Sequence, residues 1–194
     1  MPQPMLADGV VVLTPWRLAD APVLVRFDLD PELQRWFDFP TDPVEPAEHL
    51  ARAQEVIRRW WQGYDERTTF AFAVRLDAEG EAIGSAELQA NAIDRAQAMI
   101  SYATLPEHRG KGLASRAARL LAVAGLERFG FRRVELLADL ENVASQRVAE
   151  RAGFTREGVR RATGWFEHHV PFAGVPRDSV SYSLVVADLE PAPE

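Results

Sequence analysis

The sequence predicts a mixed α+β fold in which a mostly antiparallel sheet carries helices on its flanks, and three observations predict it. Apolar residues alternate with others over Thr69–Leu76, Arg133–Leu140 and Val180–Val186, which is the period of a strand, and Gln97–Leu105 is a further strand-like hydrophobic run. Ala47–Tyr64 and Leu113–Phe129 instead repeat their apolar positions at helical spacing. Between Gln97–Leu105 and Leu113–Phe129 runs Pro106-Glu107-His108-Arg109-Gly110-Lys111-Gly112, a basic, glycine-rich turn from strand into helix.

In chain order, Val10–Thr14 reads as a short strand, and Asp20 is placed to cap a helix that starts at Ala21 with Pro22 in its first turn. Pro31, Pro40, Pro43 and Pro46 divide Asp28–Pro46 into short helix and loop, since proline lacks an N–H and disfavours a helical residue before it. The stripe of Ala47–Tyr64 is Leu50, Ala53, Ile57, Trp60 and Trp61, with Gly63 placed to stop it. Thr69–Leu76 puts Phe70, Phe72, Val74 and Leu76 on one face. Asp77–Gly80 then turns the chain into a second strand, Glu81–Gln89, and Asn91–Arg95 into a third, Gln97–Leu105. Leu113, Ala117, Leu120, Leu121 and Ala124 form the next helical stripe, ended by Gly130. Arg133–Leu140 gathers Val134, Leu136, Ala138 and Leu140 on one face, and a short helix, Ala144–Arg151, turns Ala144, Val148 and Ala152 inward. A strand near Gly158–Thr163 and a loop lead to the last strand. With no repeat and no Ser/Gly linker, residues 1–189 read as a single domain and Glu190–Glu194 as a frayed tail.

Composition narrows the chemistry. The chain of 194 residues is long enough to bury a core unaided, and with no cysteine it has neither thiol catalysis nor thiolate metal sites. His168-His169 lacks the further spaced ligands that a metal site needs, so no metal is expected. No stretch reaches the ~20 apolar residues of a membrane span, and the N-terminus has no signal-peptide pattern, so the expected location is cytoplasmic, with no membrane partner. A net charge of −7 argues against nucleic acid and favours cationic partners such as amines, or simply a solvated acidic surface. A homodimer is left open.

The basic turn has the makings of an anion site. A helix start leaves its first N–H groups unpaired, its dipole is positive there, and Gly110 and Gly112 let the backbone approach a ligand closely, with Arg109 and Lys111 alongside. Lys111 is followed by Gly112 rather than Ser or Thr, which excludes the triphosphate loop. The glycine order excludes the dinucleotide fingerprint. Arg109-x-x-Gly112-x-Ala114 remains. A second motif lies downstream, Asn142-x-x-Ser145 followed by Gly153-Phe154-x-x-Glu157-Gly158.

Together these motifs resemble the GNAT superfamily of acetyl-CoA-dependent N-acetyltransferases, and within it the RimJ/RimL-like branch, densely from Ile83 to Gly158. The resemblance implies the GNAT acyl-CoA N-acyltransferase fold, a mixed, mostly antiparallel sheet with two splayed central strands, here Gln97–Leu105 and Arg133–Leu140. It implies acetyl-CoA as cofactor: backbone groups of Ala103, Thr104 and Leu105 on pantetheine or the acetyl oxygen, Arg109, Gly110, Lys111, Gly112, Leu113 and Ala114 on the pyrophosphate, and Asn142 on the pantetheine amide. Plain sheet pairing is the other reading of Ala103–Leu105, and helix capping that of Asn142.

Attack of a neutral amine on a thioester calls for donors to an oxyanion, a proton acceptor and a proton donor to the departing thiolate. By the same resemblance Ser145 is that donor, although a serine there also suits capping. Relatives carry a glutamate at the position that is Gly164 here, so Glu87 and Glu167, with His168 and His169, are the remaining candidates for the base, and a water chain is another. Trp36 and Trp165 lie in irregular segments that border the acceptor pocket in such enzymes. Glu157 is expected to be structural, and Asp139 either to point into the cleft or to pair with an arginine. The implied reaction is acetyl transfer to a primary amine, a protein N-terminus or a small molecule, by direct attack in a ternary complex. The alternative is an acyl-CoA-binding sensor or partner protein with little activity.

Overall fold

The alternating runs join one eight-stranded sheet with helices packed on both faces, seen in a computed structural model that describes residues 3–37, 45–163 and 177–189. The strands are β1 (Leu6–Ala7), β2 (Val12–Pro15), β3 (Thr69–Arg75), β4 (Gly84–Ala90), β5 (Gln97–Thr104), β6 (Arg133–Asp139), β7 (Thr155–Arg160) and β8 (Ser179–Val185). The helices are α1 (Ala21–Asp28), α2 (Pro31–Trp36), α3 (Pro46–Asp65), α4 (Leu113–Ala124) and α5 (Val143–Arg151). Sheet order is β1-β2-β3-β4-β5-β6-β8-β7. β5 and β6 run parallel, which requires the crossover that α4 supplies, and the other neighbouring pairs described are antiparallel.

Two cores form because β3 is buried on both faces. Phe70, Phe72 and Val74 join Leu88, Ile100, Leu121, Leu136 and Leu184 beneath α4 and α5, and Phe70 stacks on Phe129 at 4.5 Å between ring centroids. Ala71 and Ala73, on the other face, let α1 and α3 approach with Trp16, Phe27 and Ile57. Small residues on one side and aromatics on the other set how close each helix layer sits.

Several boundaries differ from the sequence reading. β1 was not foreseen; the turn through Gly9 pairs it with β2, and β2 begins at Val12 rather than Val10. β4 starts at Gly84, not Glu81, and β7 occupies Thr155–Arg160 instead of Gly158–Thr163. Leu76, Leu140 and Val186 lie just past strand ends and are about half exposed. Inward alternation does not carry beyond the last ladder pair. Gly63 does not stop α3: it lies inside the helix, where an added Cβ would stand 2.8 Å from the Cβ of Thr69, so it serves close packing. Leu50 and Trp61 remain more than a third exposed, leaving Ala53 and Ile57 as the buried stripe. The helical stretch after Leu113 is α-helical to Ala124 and ends in a π turn, Gly125–Phe129, closed by Gly130 at φ +87°. In α5 the buried residues are Ala149 and then Ala152, while Ala144 is exposed.

Asp20 makes no side-chain cap on α1. Its carboxylate accepts from the Arg17 N–H at 2.8 Å and pairs with the Arg75 guanidinium at 2.5 Å. Arg75 is buried and also donates to Thr14 Oγ1 and to the Gly80 carbonyl. A buried guanidinium with three partners fixes where α1 meets the β2–β3 edge.

Candidate active site

A gap opens in the middle of the sheet between β5 and β6. β5 and β6 pair at Gln97 with Arg133, Ala98 with Val134 and Met99 with Glu135, and the ladder then stops. Both strands continue, to Thr104 and Asp139, each still paired to its outer neighbour, β4 and β8. Their inner edges therefore diverge with backbone groups facing a cleft that Ser101, Ala103, Thr104, Leu136, Ala138 and Asn142 help to line. Unpaired strand edges in a sheet interior are costly unless a ligand or water satisfies them.

The basic turn stands at the head of this cleft. Gly110 and Gly112 hold φ of +72° and +76°, the left-handed region glycine favours, and space around both is open. Arg109 N–H donates to the Pro106 carbonyl and Arg116 N–H to the Gly112 carbonyl. Among the described residues the amides between them, 110 to 115, make no backbone hydrogen bond outside the helix, and helix geometry leaves the first of α4 unpaired within it. Those N–H groups and the helix dipole suit a diphosphate.

The side chain of Arg109 is engaged elsewhere. Its guanidinium pairs with Asp30 and donates through Nε to the Thr104 carbonyl at 3.0 Å. Asp30, itself buried, accepts from the Glu32 N–H at 2.9 Å and so caps α2. The residue expected to add charge for phosphate thus locks α2 onto the turn, and Lys111 is the exposed cation left there. Leu105 is also corrected: its N–H donates to the Ile83 carbonyl, its carbonyl accepts from the His108 N–H, and the residue is buried, so its backbone is unavailable. Ala103, Thr104 and Ala114 do line the cleft.

Asn142 and Ser145 meet at the start of α5. Asn142 Oδ1 accepts from the Ser145 N–H at 2.9 Å, so the capping reading of Asn142 holds, and both residues line the cleft. Ser145 Oγ lies 2.8 Å from the Tyr102 hydroxyl, across the gap on β5. Tyr102 was missed by sequence reasoning. The signal was present, because an inward-facing tyrosine on an alternating strand needs a polar partner for its hydroxyl. Burial pushes its phenol well above the ordinary value, so it stays protonated.

Glu87 lies on β4 opposite Ser101, one strand behind the cleft and on the face covered by α3. Burial raises its carboxyl to about 7, against a smaller opposing pull from the Trp60 side chain. A carboxyl poised there exchanges a proton at neutral pH. Glu157 is the opposite case. Hydrogen bonds from Arg133 at 2.5 and 2.8 Å, then from Ser183, hold it down near 2, a structural ion pair.

One side of the cleft is walled by α2, which contributes Glu32, Leu33 and Trp36. Trp36 donates its indole N–H to Glu32 Oε1 at 2.9 Å, with the Arg35 guanidinium 4.6 Å and that of Arg177 5.9 Å from its ring centre. Arg177 also pairs with Asp139 at 3.1 Å, the partner type expected for Asp139. Trp165, Glu167, His168, His169 and Gly164 lie outside the described residues. Among the described residues no group of three or more His, Cys, Asp or Glu is placed to hold a metal, and no helix is long and apolar enough to cross a membrane.

Residues 11–155 match the family described as Acetyltransferase (GNAT) domain. The chain is 25% identical over 182 residues to YoaA of Bacillus subtilis (strain 168), an uncharacterized N-acetyltransferase, covering 94% of this chain and 97% of that protein. It is 29% identical over 150 residues to the spermidine N(1)-acetyltransferase of Escherichia coli (strain K12), covering 76% and 74%. Its fold is similar to that of RimL, a ribosomal L7/L12 α-N-protein acetyltransferase solved with coenzyme A, at TM-score 0.77 and 18% identity over 95% of this chain and 99% of that one.

Proposed function

The chain belongs to the acetyltransferase (GNAT) domain family, and from that premise we propose that it transfers an acetyl group from acetyl-CoA to a primary amine by direct attack, in the manner of the RimJ/RimL-like branch. The observation that carries the proposal is the coincidence of two features: a sheet gap between β5 and β6, and the free amides of α4 at its head. Acetyl-CoA supplies an activated acyl carbon on a thiolate leaving group. The chain's residues hold and orient the reactants. Amides 110 to 115 bind the diphosphate, the open edge of β5 at Thr104 guides the pantetheine arm, and Asn142 offers its amide N–H beside that arm, whereas the Ala103 backbone faces β4.

Proton movements are shared between two groups. Glu87 takes the first proton from the ammonium, through water and past Ser101, so that a neutral amine attacks. As the carbon–sulfur bond breaks, its electron pair stays on sulfur. Ser145 Oγ passes its hydrogen to sulfur and takes the surplus proton of the amine nitrogen, so the hydroxyl is restored. The spermidine relative is the reason to expect a cationic acceptor, since Asp30 and Asp139 beside the cleft are themselves paired with Arg109 and Arg177.

Thiol release from acetyl-CoA, with spermidine, an unblocked Ser- or Ala-starting peptide and an amino sugar offered in parallel, tests the proposal. Turnover with any of the three is the expected result. Thermal stabilisation by acetyl-CoA without thiol release would instead indicate a binding protein.

A further inference from the structure

We propose that Tyr102 is a positioning residue that orients the Ser145 hydroxyl, by donating its phenolic hydrogen to Ser145 Oγ so that the serine's own hydrogen points into the cleft. This rests on the reading of Ser145 as the group that serves the departing sulfur.

The geometry allows two arrangements. The Tyr102 hydroxyl is 2.8 Å from Ser145 Oγ and 3.2 Å from the Ser145 carbonyl oxygen. With its hydrogen on the carbonyl, the phenol oxygen would receive the serine hydrogen, which would then be unavailable to sulfur. With its hydrogen on Oγ, the serine hydrogen is free.

Three facts favour the second arrangement. The contact to Oγ is the shorter. A phenol is a much stronger acid than an alcohol and hence the better donor, while the alcohol oxygen is the better acceptor. The Ser145 carbonyl belongs to the first turn of α5, where the helix ladder already supplies it with a donor. Burial keeps the phenol protonated across the physiological range, so the donor role does not switch off with pH.

The arrangement is also specified from both sides. Asn142 holds the Ser145 backbone through its N–H, and Tyr102 holds the side chain, so α5 and β5 fix one hydroxyl from opposite walls of the gap. An alcohol that accepts a hydrogen bond becomes a better donor in turn, which strengthens its bond to a thiolate. Tyr102 is not itself the proton source, since a phenol raised by burial is a weaker acid than the thiol it would have to protonate.

The test uses coenzyme A as the probe and reads the pKa of its bound thiol by ultraviolet thiolate absorbance, with thermal midpoint and thiol release measured beside it. A donor to the thiolate lowers that pKa. Ser145→Ala is expected to raise it by about one unit, the worth of one charge-assisted hydrogen bond. Tyr102→Phe is expected to raise it by roughly half a unit and to lower kcat several-fold with the KM for acetyl-CoA unchanged. The double variant should match Ser145→Ala alone, because Tyr102 acts through Ser145. A site-specific fluorotyrosine at 102, a stronger donor of nearly the same shape, should lower the thiol pKa, and it covers the case in which Tyr102→Phe folds poorly.

Outcomes separate cleanly. If Ser145→Ala leaves the thiol pKa and turnover unchanged, the reading of Ser145 fails. If Ser145→Ala shifts them and neither change at Tyr102 does, this inference alone is overturned. Additive effects in the double variant would also overturn it, since Tyr102 would then act independently of Ser145.

Discussion

Two parts of the cleft surface, one at α4 and one at α2, are built in different ways. At α4 the surface offered to a ligand is backbone: amides around Gly110 and Gly112, and the open inner edges of β5 and β6. At α2 it is side chains, with Trp36 held by Glu32 and flanked by Arg35 and Arg177. A backbone site depends on a few glycines and a strand pairing, and it tolerates wide variation elsewhere. A side-chain site can be retuned by one substitution, which is how one fold serves many acceptors.

The sharpest way to break this contrast is at the backbone part. Gly112→Glu places a side chain and a negative charge before the α4 amides at a φ of +76°, and should weaken coenzyme A binding at least 100-fold by calorimetry, about 3 kcal/mol. Wild-type affinity in a folded variant would remove the site from that turn.

Glu87→Gln comes next. It should cost roughly 10- to 100-fold in kcat near neutral pH and abolish the rise of kcat/KM with pH through about 7. The same carboxyl has a stability signature. Its folded pKa lies above the ordinary 4.5, so its contribution is fully present below that value and is lost as pH rises through about 7. Denaturation of the wild type should therefore lose up to about 3 kcal/mol between those limits relative to Glu87→Gln, and a parallel pH dependence in the two proteins would contradict the burial of this group.

Trp36→Ala sharpens the comparison from the other part. Several-fold higher KM for the amine with unchanged coenzyme A affinity is the expected split, and a matching loss of coenzyme A affinity would mean the two parts are not separate. The smallest effect is Lys111→Ala, an exposed cation, with a two- to threefold loss of coenzyme A affinity that fades in high salt.

The same division explains what was legible in the sequence. Glycine needs and strand periodicity are local, so the strand–turn–helix unit through Gly112 could be read directly, whereas the divergence of the two strands came only with the family resemblance; Asn142 and Ser145 both line the cleft. Partnerships between distant segments are not local. Arg109 meets Asp30 from 79 positions away, and Tyr102 meets Ser145 from 43, distances over which periodicity says nothing. Arg75, 55 positions from Asp20, is buried on the face of β3 opposite Phe70, Phe72 and Val74, because β3 is covered by helices on both sides. Leu105 was misjudged for a related reason: whether an edge amide is free depends on the neighbour that Ile83 provides.

Amide hydrogen exchange with and without coenzyme A measures the central claim most directly. The account predicts that the N–H groups of residues 110 to 115 exchange fast in the free protein and slow markedly when coenzyme A is bound, while those of α2 change little. Coenzyme A binding that leaves exchange across 110 to 115 unaltered would contradict it.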